Sequence, residues 1–87
     1  MIVLGVDPGL TRCGVGAVDM DAQKPRLVHV SVIRSDAGLD VAQRLLHIRQ
    51  CLDELIDDIA PDAMAVERVF SQHNVRTVMG TAQVAGL

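Results

Sequence analysis

Residues 2–9, Ile-Val-Leu-Gly-Val-Asp-Pro-Gly, decide the fold of this chain. The aliphatic run over residues 2–6 is typical of a strand that is buried on both faces of a sheet. Pro8 and Gly9 end this strand directly after a single carboxylate, Asp7. A second aliphatic run, Ala63–Val66, is also followed by a single carboxylate, Glu67. The two runs therefore predict two buried strands that each end in an acidic side chain.

The rest of the chain predicts the element order β-β-β-α-β-α. Residues 13–18 and 27–33 are typical of two further strands, and short connections join the first three strands as an antiparallel meander. Apolar residues spaced alternately by four and three predict a long helix that Pro61 ends. They are Val41, Leu45, Ile48, Leu52, Leu55 and Ile59. Ser71 is a suitable N-cap for a last helix that runs to the end of the chain.

The long helix connects the third strand to the fourth, and such crossovers are right-handed. Placing the fourth strand beside and parallel to the first pairs the two aliphatic runs. The predicted fold class is therefore α/β, with a mixed sheet in strand order 3-2-1-4. The fourth strand, Ala63–Val66, has no charge to protect it as an edge, and natural domains pair or cover such edges. We therefore expect residues 1–87 to be a single domain that forms the N-terminal part of a longer one.

Composition excludes several classes of protein. The 87 residues are 49% hydrophobic and 22% charged, which is typical of a soluble globular protein and not of a disordered one. No apolar run approaches the ~20 residues of a membrane helix, and the start lacks the basic region of a secretory signal. Two cysteines, Cys13 and Cys51, make neither a disulfide framework nor a zinc site. We therefore expect a cytoplasmic protein.

Charge is distributed unevenly along the chain. The formal net charge is −3 overall. Residues 1–67 carry 6 basic and 11 acidic side chains, whereas residues 68–87 carry Arg68 and Arg76 and no acid. The overall balance therefore does not exclude a polyanionic ligand bound near the C-terminal end.

Asp7 and Glu67 are the main candidates for chemistry. Parallel neighbouring strands would place both side chains at the same carboxyl edge of the sheet, where open α/β sheets bind ligands. Two converging carboxylates repel each other, and a hard cation such as Mg²⁺ relieves this repulsion. Two such cations can hold the attacking and leaving oxygens of a phosphodiester. Two structural alternatives stay open: Asp7 could end its strand as an Asx-turn, and Glu67 could pair with Arg12 or Arg68.

Residues around Glu67 are candidates for contact with a nucleic acid. Phe70, the sole aromatic, could stack on a base or pack in the core. Basic side chains and backbone amides at a helix N-terminus near Ser71 could contact phosphates. The basic candidates are Arg12, Arg68, His73 and Arg76. The alternative for each of them is ordinary surface charge.

Two blocks of sequence resemble the RuvC family of bacterial Holliday-junction resolvases. Residues 5–16, Gly-Val-Asp-Pro-Gly-Leu-Thr-Arg-Cys-Gly-Val-Gly, resemble its opening motif. Residues 65–70, followed by Asn74 and residues 80–86, resemble its second signature, and residues 68–72 look like those of actinobacterial members. The first block alone also resembles the phosphate loop of actin-like ATPases, whose N-terminal lobe is an alternative reading. The two blocks in this order and spacing favour the RuvC family over the whole chain.

The resemblance implies an RNase H-like fold and a homodimeric, Mg²⁺-dependent endonuclease that nicks two strands of a DNA four-way junction symmetrically. It implies two ions per complete active site, with Asp7 and Glu67 matching two of four catalytic acids and metal ligands. Phe70 matches an aromatic that stacks at the junction centre, and the last helix matches the element that lines the dimer interface. A branch-migration helicase complex is the implied protein partner, and no membrane is involved. The DNA-binding candidates are Phe70, Arg12, Arg68, Asn74 and Arg76.

The chain departs from the family pattern in one respect. The two remaining acids of the family lie in a later motif, and no Asp or Glu follows Glu67 here. We therefore expect the 87 residues alone to bind Mg²⁺ weakly and not to cleave junctions. A non-catalytic, truncated remnant that dimerises or binds DNA is the alternative to the enzyme.

Overall fold

The computed structural model describes residues 1–21 and 23–67. These residues form β1 (Ile2–Asp7), β2 (Arg12–Asp19), β3 (Arg26–Arg34), α1 (Val41–Ile59) and β4 (Ala63–Val66). The predicted order of these elements is confirmed, and the first three strands are longer by one or two residues than the aliphatic runs that predict them. The last helix, predicted from Ser71, lies outside the described residues. No helix in the described ranges is both long and apolar enough to cross a membrane.

The strands form one mixed sheet in the order β3-β2-β1-β4. β2 runs antiparallel to both β1 and β3. β4 lies parallel to β1, with Val6 opposite Val66 in the register. The predicted strand order is thus confirmed, and α1 is the crossover that carries the chain from β3 to β4.

One face of the sheet, called here the helix face, packs against α1. Its buried core is formed by alternate residues of the strands and by two residues of the helix. These are Leu4, Val6, Cys13, Val15, Ala17, Ile33, Ile48 and Leu52. Of the apolar residues that predict α1, those from Leu45 to Ile59 pack against the core, whereas Val41 in the first turn is 42% exposed. The apolar side of α1 therefore contacts the core along all but its first turn.

The opposite face of the sheet, called here the open face, is not covered by any element of residues 1–67. Gly14 and Gly16 lie on this face, because they alternate along β2 with the buried residues Cys13 and Val15. An apolar groove runs over the middle of β1 and β2, and Val30 of β3 is 67% exposed beside it. The groove is lined by Met1, Val3, Gly5, Gly16, Val18 and Met20.

Side-chain and backbone caps determine where α1 begins and ends. The Asp40 carboxylate accepts a hydrogen bond from the Gln43 backbone amide at 2.8 Å, and the Gln43 side chain accepts one from the Asp40 amide at 3.3 Å. This reciprocal capping box satisfies two amides that the first turn leaves without helical partners. At the other end, Ala60 adopts a left-handed conformation with φ 50°, and its amide donates to the Ile56 carbonyl at 2.8 Å. Pro61 follows and prevents the helix from continuing.

Replacing Ala60 with Gly should stabilise the protein, because glycine adopts the left-handed conformation without the steric cost that a Cβ imposes. We expect the free energy of unfolding to rise by about 0.5–1 kcal/mol in urea titrations. Glu54→Gly is the control, since Glu54 is an exposed position inside α1. It should lower the free energy of unfolding by about 1 kcal/mol. A loss of stability in Ala60→Gly would contradict the left-handed cap.

Candidate functional site

Asp7 and Glu67 lie at the same carboxyl edge of the sheet because β1 and β4 are parallel neighbours. Val6 and Val66 are opposite each other in the register, so the residues that follow them leave the sheet side by side. The Glu67 amide donates a hydrogen bond to the Val6 carbonyl at 3.1 Å, which extends the ladder to the acidic residue itself. The predicted convergence of the two strand ends is therefore present in the structure.

The two carboxyl groups meet on the open face. A Cβ added to Gly14 would lie 3.5 Å from the Asp7 Cβ, which places the Asp7 side chain on the Gly14 side of the sheet. A hydrogen bond with the Asp7 carboxyl group raises the pKa of Glu67, and the negative charge of Asp7 raises it further. Both side chains are exposed to solvent. The site is thus a pair of interacting, accessible carboxyl groups.

The structure tests two of the structural alternatives for these residues, the Asx-turn at Asp7 and the pairing of Glu67 with Arg12, and shows neither. Asp19 and Asp36 each accept a hydrogen bond from the backbone amide two residues further on, as Asx-turns do. Asp7 accepts no such bond within the described residues. Arg12 forms no ion pair with Glu67, and no other basic side chain of residues 1–67 pairs with either carboxylate. Within residues 1–67, neither carboxylate is therefore neutralised by a basic side chain, and the alternative pairing of Glu67 with Arg68 lies outside the described residues.

The turn after Asp7, residues 8–11, is held by Ser35, the buried residue that directly follows β3. The Ser35 amide donates to the Thr11 carbonyl at 3.3 Å, and the Ser35 hydroxyl donates to the Leu10 carbonyl. Gly9 permits this tight turn, because a Cβ at that position would collide with the Arg12 carbonyl oxygen. Two consecutive carbonyl groups of the turn are thus bonded to one residue.

Arg44 of α1 fixes this arrangement from the helix face. Its Nε donates to the Ser35 hydroxyl at 2.9 Å, and its Nη2 donates to the Thr11 hydroxyl at 3.0 Å. A guanidinium can only donate, so Ser35 must accept from it and direct its own proton to Leu10. The position of the turn beside Asp7 therefore depends on contacts with both α1 and β3.

Cys13 lies next to the carboxylate pair but is buried in the core. Burial raises the pKa of its thiol, a hydrogen bond from the Gly9 amide lowers it, and the charge of Asp7 raises it. Burial has the largest effect, so the thiol stays protonated at neutral pH and serves as a small core residue.

The remaining predicted site residues are only partly covered by the structure. Arg12 is exposed at the start of β2, at the same end of the sheet as Asp7. The other predicted DNA contacts lie outside the described residues. They are Arg68, Phe70, Asn74 and Arg76.

The sequence interpretation missed two features of this edge. Arg34 ends β3 opposite Arg12 in the register. Since β3 runs parallel to β1, the rule that carboxyl ends of parallel strands share an edge would have placed Arg34 at the same edge as Asp7. Ser35 and Arg44, by contrast, contact the turn through hydrogen bonds between residues 9 to 33 positions apart. No local sequence pattern indicates such contacts.

The donor set of the site fits a hard divalent cation in part. Mg²⁺ is commonly held by one or two carboxylates together with waters and substrate phosphate oxygens. Asp7 and Glu67 supply two carboxylates, and no group of three or more metal-binding side chains occurs in the described part of the chain. These residues are therefore suited to form part of a magnesium site.

Comparison with known proteins identifies relatives along the whole chain. The family model for crossover junction endodeoxyribonuclease RuvC matches residues 3–87. The protein of that name from Saccharopolyspora erythraea is 54% identical over 88 residues, covering 100% of this chain and 44% of the relative. The one from Parafrankia sp. is 56% identical over 88 residues, covering 100% of this chain and 49% of the relative. The chain thus spans about half the length of the curated relatives it matches.

Solved structures confirm the RNase H-like fold. RuvC from T. thermophilus in complex with a Holliday junction substrate matches with a TM-score of 0.89 and 29% identity, covering 99% of this chain and 53% of that one. A second structure, of Thermus thermophilus RuvC, matches with a TM-score of 0.87 and 28% identity, covering 99% and 54%.

The family match decides between the readings of the first sequence block. A lobe of an actin-like ATPase is no longer an alternative, because the match extends through the second block to residue 87. With this match and with relatives more than 50% identical over its full length, the chain belongs to the RuvC family of crossover junction endodeoxyribonucleases.

Proposed function

We propose that the protein carrying these 87 residues is a metal-dependent endonuclease that resolves Holliday junctions in DNA recombination and repair by paired symmetric nicks. The observation that carries the proposal is the meeting of Asp7 and Glu67 on the open face in a chain of the RuvC family. Members of that family are generally metal-dependent nucleases. The relative solved with a Holliday junction supports the choice of substrate.

Asp7 and Glu67 would hold Mg²⁺, with two ions in a complete site. When bound, the cation supplies charge stabilisation at a phosphoryl oxygen and a water that ionises readily. The protein contributes the position of the two carboxylates: the β1–β4 ladder holds Glu67, and Asp7 lies at the end of β1 next to the anchored turn. Both side chains are exposed within residues 1–67, so no described side chain would have to move for a DNA strand to reach them.

Residues 1–87 would form the N-terminal part of a longer nuclease domain. Two carboxylates leave most positions of an octahedral ion to waters and other ligands, and the family relatives are about twice as long as this chain. Within residues 1–67, the outer edge of β4 pairs with no strand and the apolar groove on the open face is exposed, and both observations support an addition to this domain. The 87 residues alone would accordingly bind Mg²⁺ weakly and leave junctions uncut.

The partners of the protein follow from the same assignment. Arg12, Arg68, Asn74 and Arg76 would contact the DNA junction, and Phe70 would stack on a base. A homodimer through the last helix would present two sites to the two equivalent strands of the junction. A branch-migration helicase complex would be its protein partner in the cytoplasm.

Asp7→Asn and Glu67→Gln should each abolish cleavage of a synthetic four-way junction by the full-length protein. We expect a loss greater than about 100-fold, since about 10- to 100-fold is typical of residues that only orient a metal ligand. Junction binding should be retained, because both substitutions keep the shape of the side chain and remove negative charge. The measurements are single-turnover cleavage and junction binding without metal.

Asp58→Asn provides the matched control, since Asp58 is an exposed carboxylate on α1. It should cleave at the wild-type rate. If the Asp7 and Glu67 variants lost binding together with cleavage, these residues would serve folding and the proposed site would be wrong. Mg²⁺-dependent nicking by the purified 87-residue chain would contradict the proposal that this part is insufficient.

The raised pKa of Glu67 predicts how Mg²⁺ binding depends on pH. Glu67 keeps its proton at pH values at which an ordinary glutamate is charged, and only the charged form binds metal. The affinity for Mg²⁺ should therefore fall as the pH drops through this raised pKa, at a higher pH than for an isolated glutamate. Mg²⁺ titrations at a series of pH values measure this dependence.

Asp7→Asn should lower the pKa of Glu67 in the metal-free protein, because it removes the neighbouring charge and supplies an amide donor to the Glu67 carboxylate. Carboxyl ¹³C NMR titration measures the change directly. Asp58→Asn should leave the pKa of Glu67 where it is in the wild type. An equal titration of Glu67 in the wild type and in Asp7→Asn would show that the two side chains do not interact.

A further inference from the structure

Two arginines lie side by side at the edge of the sheet that carries the carboxylate pair. Arg12 begins β2, Arg34 ends β3, and the two are direct partners in the antiparallel register. Their neighbours Cys13 and Ile33 are buried in the helix face. Because side chains alternate between the faces of a strand, Arg12 and Arg34 both belong to the open face, where Asp7 lies.

This arginine pair has no acidic partner among the residues that the structure describes. All 11 Asp and Glu residues fall within the described ranges, and none forms an ion pair with Arg12 or Arg34. The opposite end of β3 differs, because Arg26 faces Asp19 in the register and approaches its carboxylate to 3.7 Å. Like charges directly opposite each other destabilise a sheet. The pair is therefore a local concentration of uncompensated positive charge.

The arginine pair also lies close to the carboxylates. Asp7 is opposite Gly14, which is two residues from Arg12 along β2. Diagonal neighbours of this kind are about 7–8 Å apart. A negatively charged DNA strand that approaches Asp7 and Glu67 meets two like charges, in a chain with a net charge of −3. Compensating positive charge within one side-chain length of the site favours that approach.

We propose that Arg12 and Arg34 together bind one phosphate of the DNA strand. This phosphate would be the neighbour of the phosphate that is cleaved at the site of Asp7 and Glu67. This inference rests on the proposed nuclease function and adds Arg34, and its pairing with Arg12, to the binding surface. Each guanidinium offers a planar set of donors that matches two phosphate oxygens. A phosphate between the two side chains would also remove their mutual repulsion.

The test measures binding of a fluorescent four-way junction to the full-length protein without metal, over a series of salt concentrations. The variants are Arg34→Gln, Arg12→Gln and Arg34→Lys. Arg26→Gln is the matched control, because it removes the same charge from the other end of the same strand. Thermal unfolding of each free protein is recorded in parallel.

Arg34→Gln and Arg12→Gln should each weaken junction binding about 10-fold at low salt. Each should also reduce the slope of log affinity against log salt by about 1, the signature of one lost phosphate contact. Arg34→Lys should keep the slope, since it keeps the charge. Arg26→Gln should change neither quantity.

The melting temperature of each free protein is a second measurement. If the arginines had a purely structural role, their removal would lower the melting temperature. Removing one of two repelling charges should leave the melting temperature of Arg34→Gln equal to or above that of the wild type. The proposal would be overturned by a melting temperature of Arg34→Gln below that of the wild type. It would also be overturned if the salt dependence of binding were unchanged in both Arg→Gln variants. If the Asp7→Asn variant still cleaved junctions, the proposed function itself would fail. If Asp7→Asn were inactive but Arg34→Gln bound junctions as tightly as the wild type, only the inference about the arginine pair would fail.

Discussion

The parallel pairing of β1 with β4 is the constraint on which the rest of the structure depends. It brings two carboxylates 60 positions apart in the chain to one edge, and the amide of Glu67 itself takes part in the ladder. The two carboxyl groups interact there: a hydrogen bond with Asp7 and then the negative charge of Asp7 raise the pKa of Glu67. A cation bound by both carboxylates would remove their mutual repulsion as well as bind their oxygens.

The edge is built so that the carboxylates face outward while their supports lie inward. Asp7, Glu67 and the arginine pair lie on the open face. The turn after Asp7 is held by hydrogen bonds of Ser35 and Arg44 on the helix face. The chain thus separates the groups that meet a ligand from the groups that hold the backbone. A ligand bound on the open face would not compete for the hydrogen bonds of the turn.

Much of this arrangement was predictable from the sequence because it follows from short-range pattern. Aliphatic runs ending in Asp7 and Glu67, together with the handedness of the crossover, were enough for the strand order and the meeting of the two acids. The turn network was not predictable, because Arg44 bonds Thr11 across 33 positions. The left-handed Ala60 was missed for another reason: glycine usually occupies that position, so the alanine carries no signal. The roles of residues beyond Glu67 come from the family resemblance alone.

The burial of Cys13 has a consequence for how this edge of the sheet responds to reagents that modify thiols. Oxidants and alkylating agents attack the thiolate of accessible cysteines. The thiol of Cys13 is buried in the core, and burial raises its pKa, so that it stays protonated. Reagents that modify thiols would therefore reach the half-buried Cys51 before Cys13 and would leave this edge of the sheet intact.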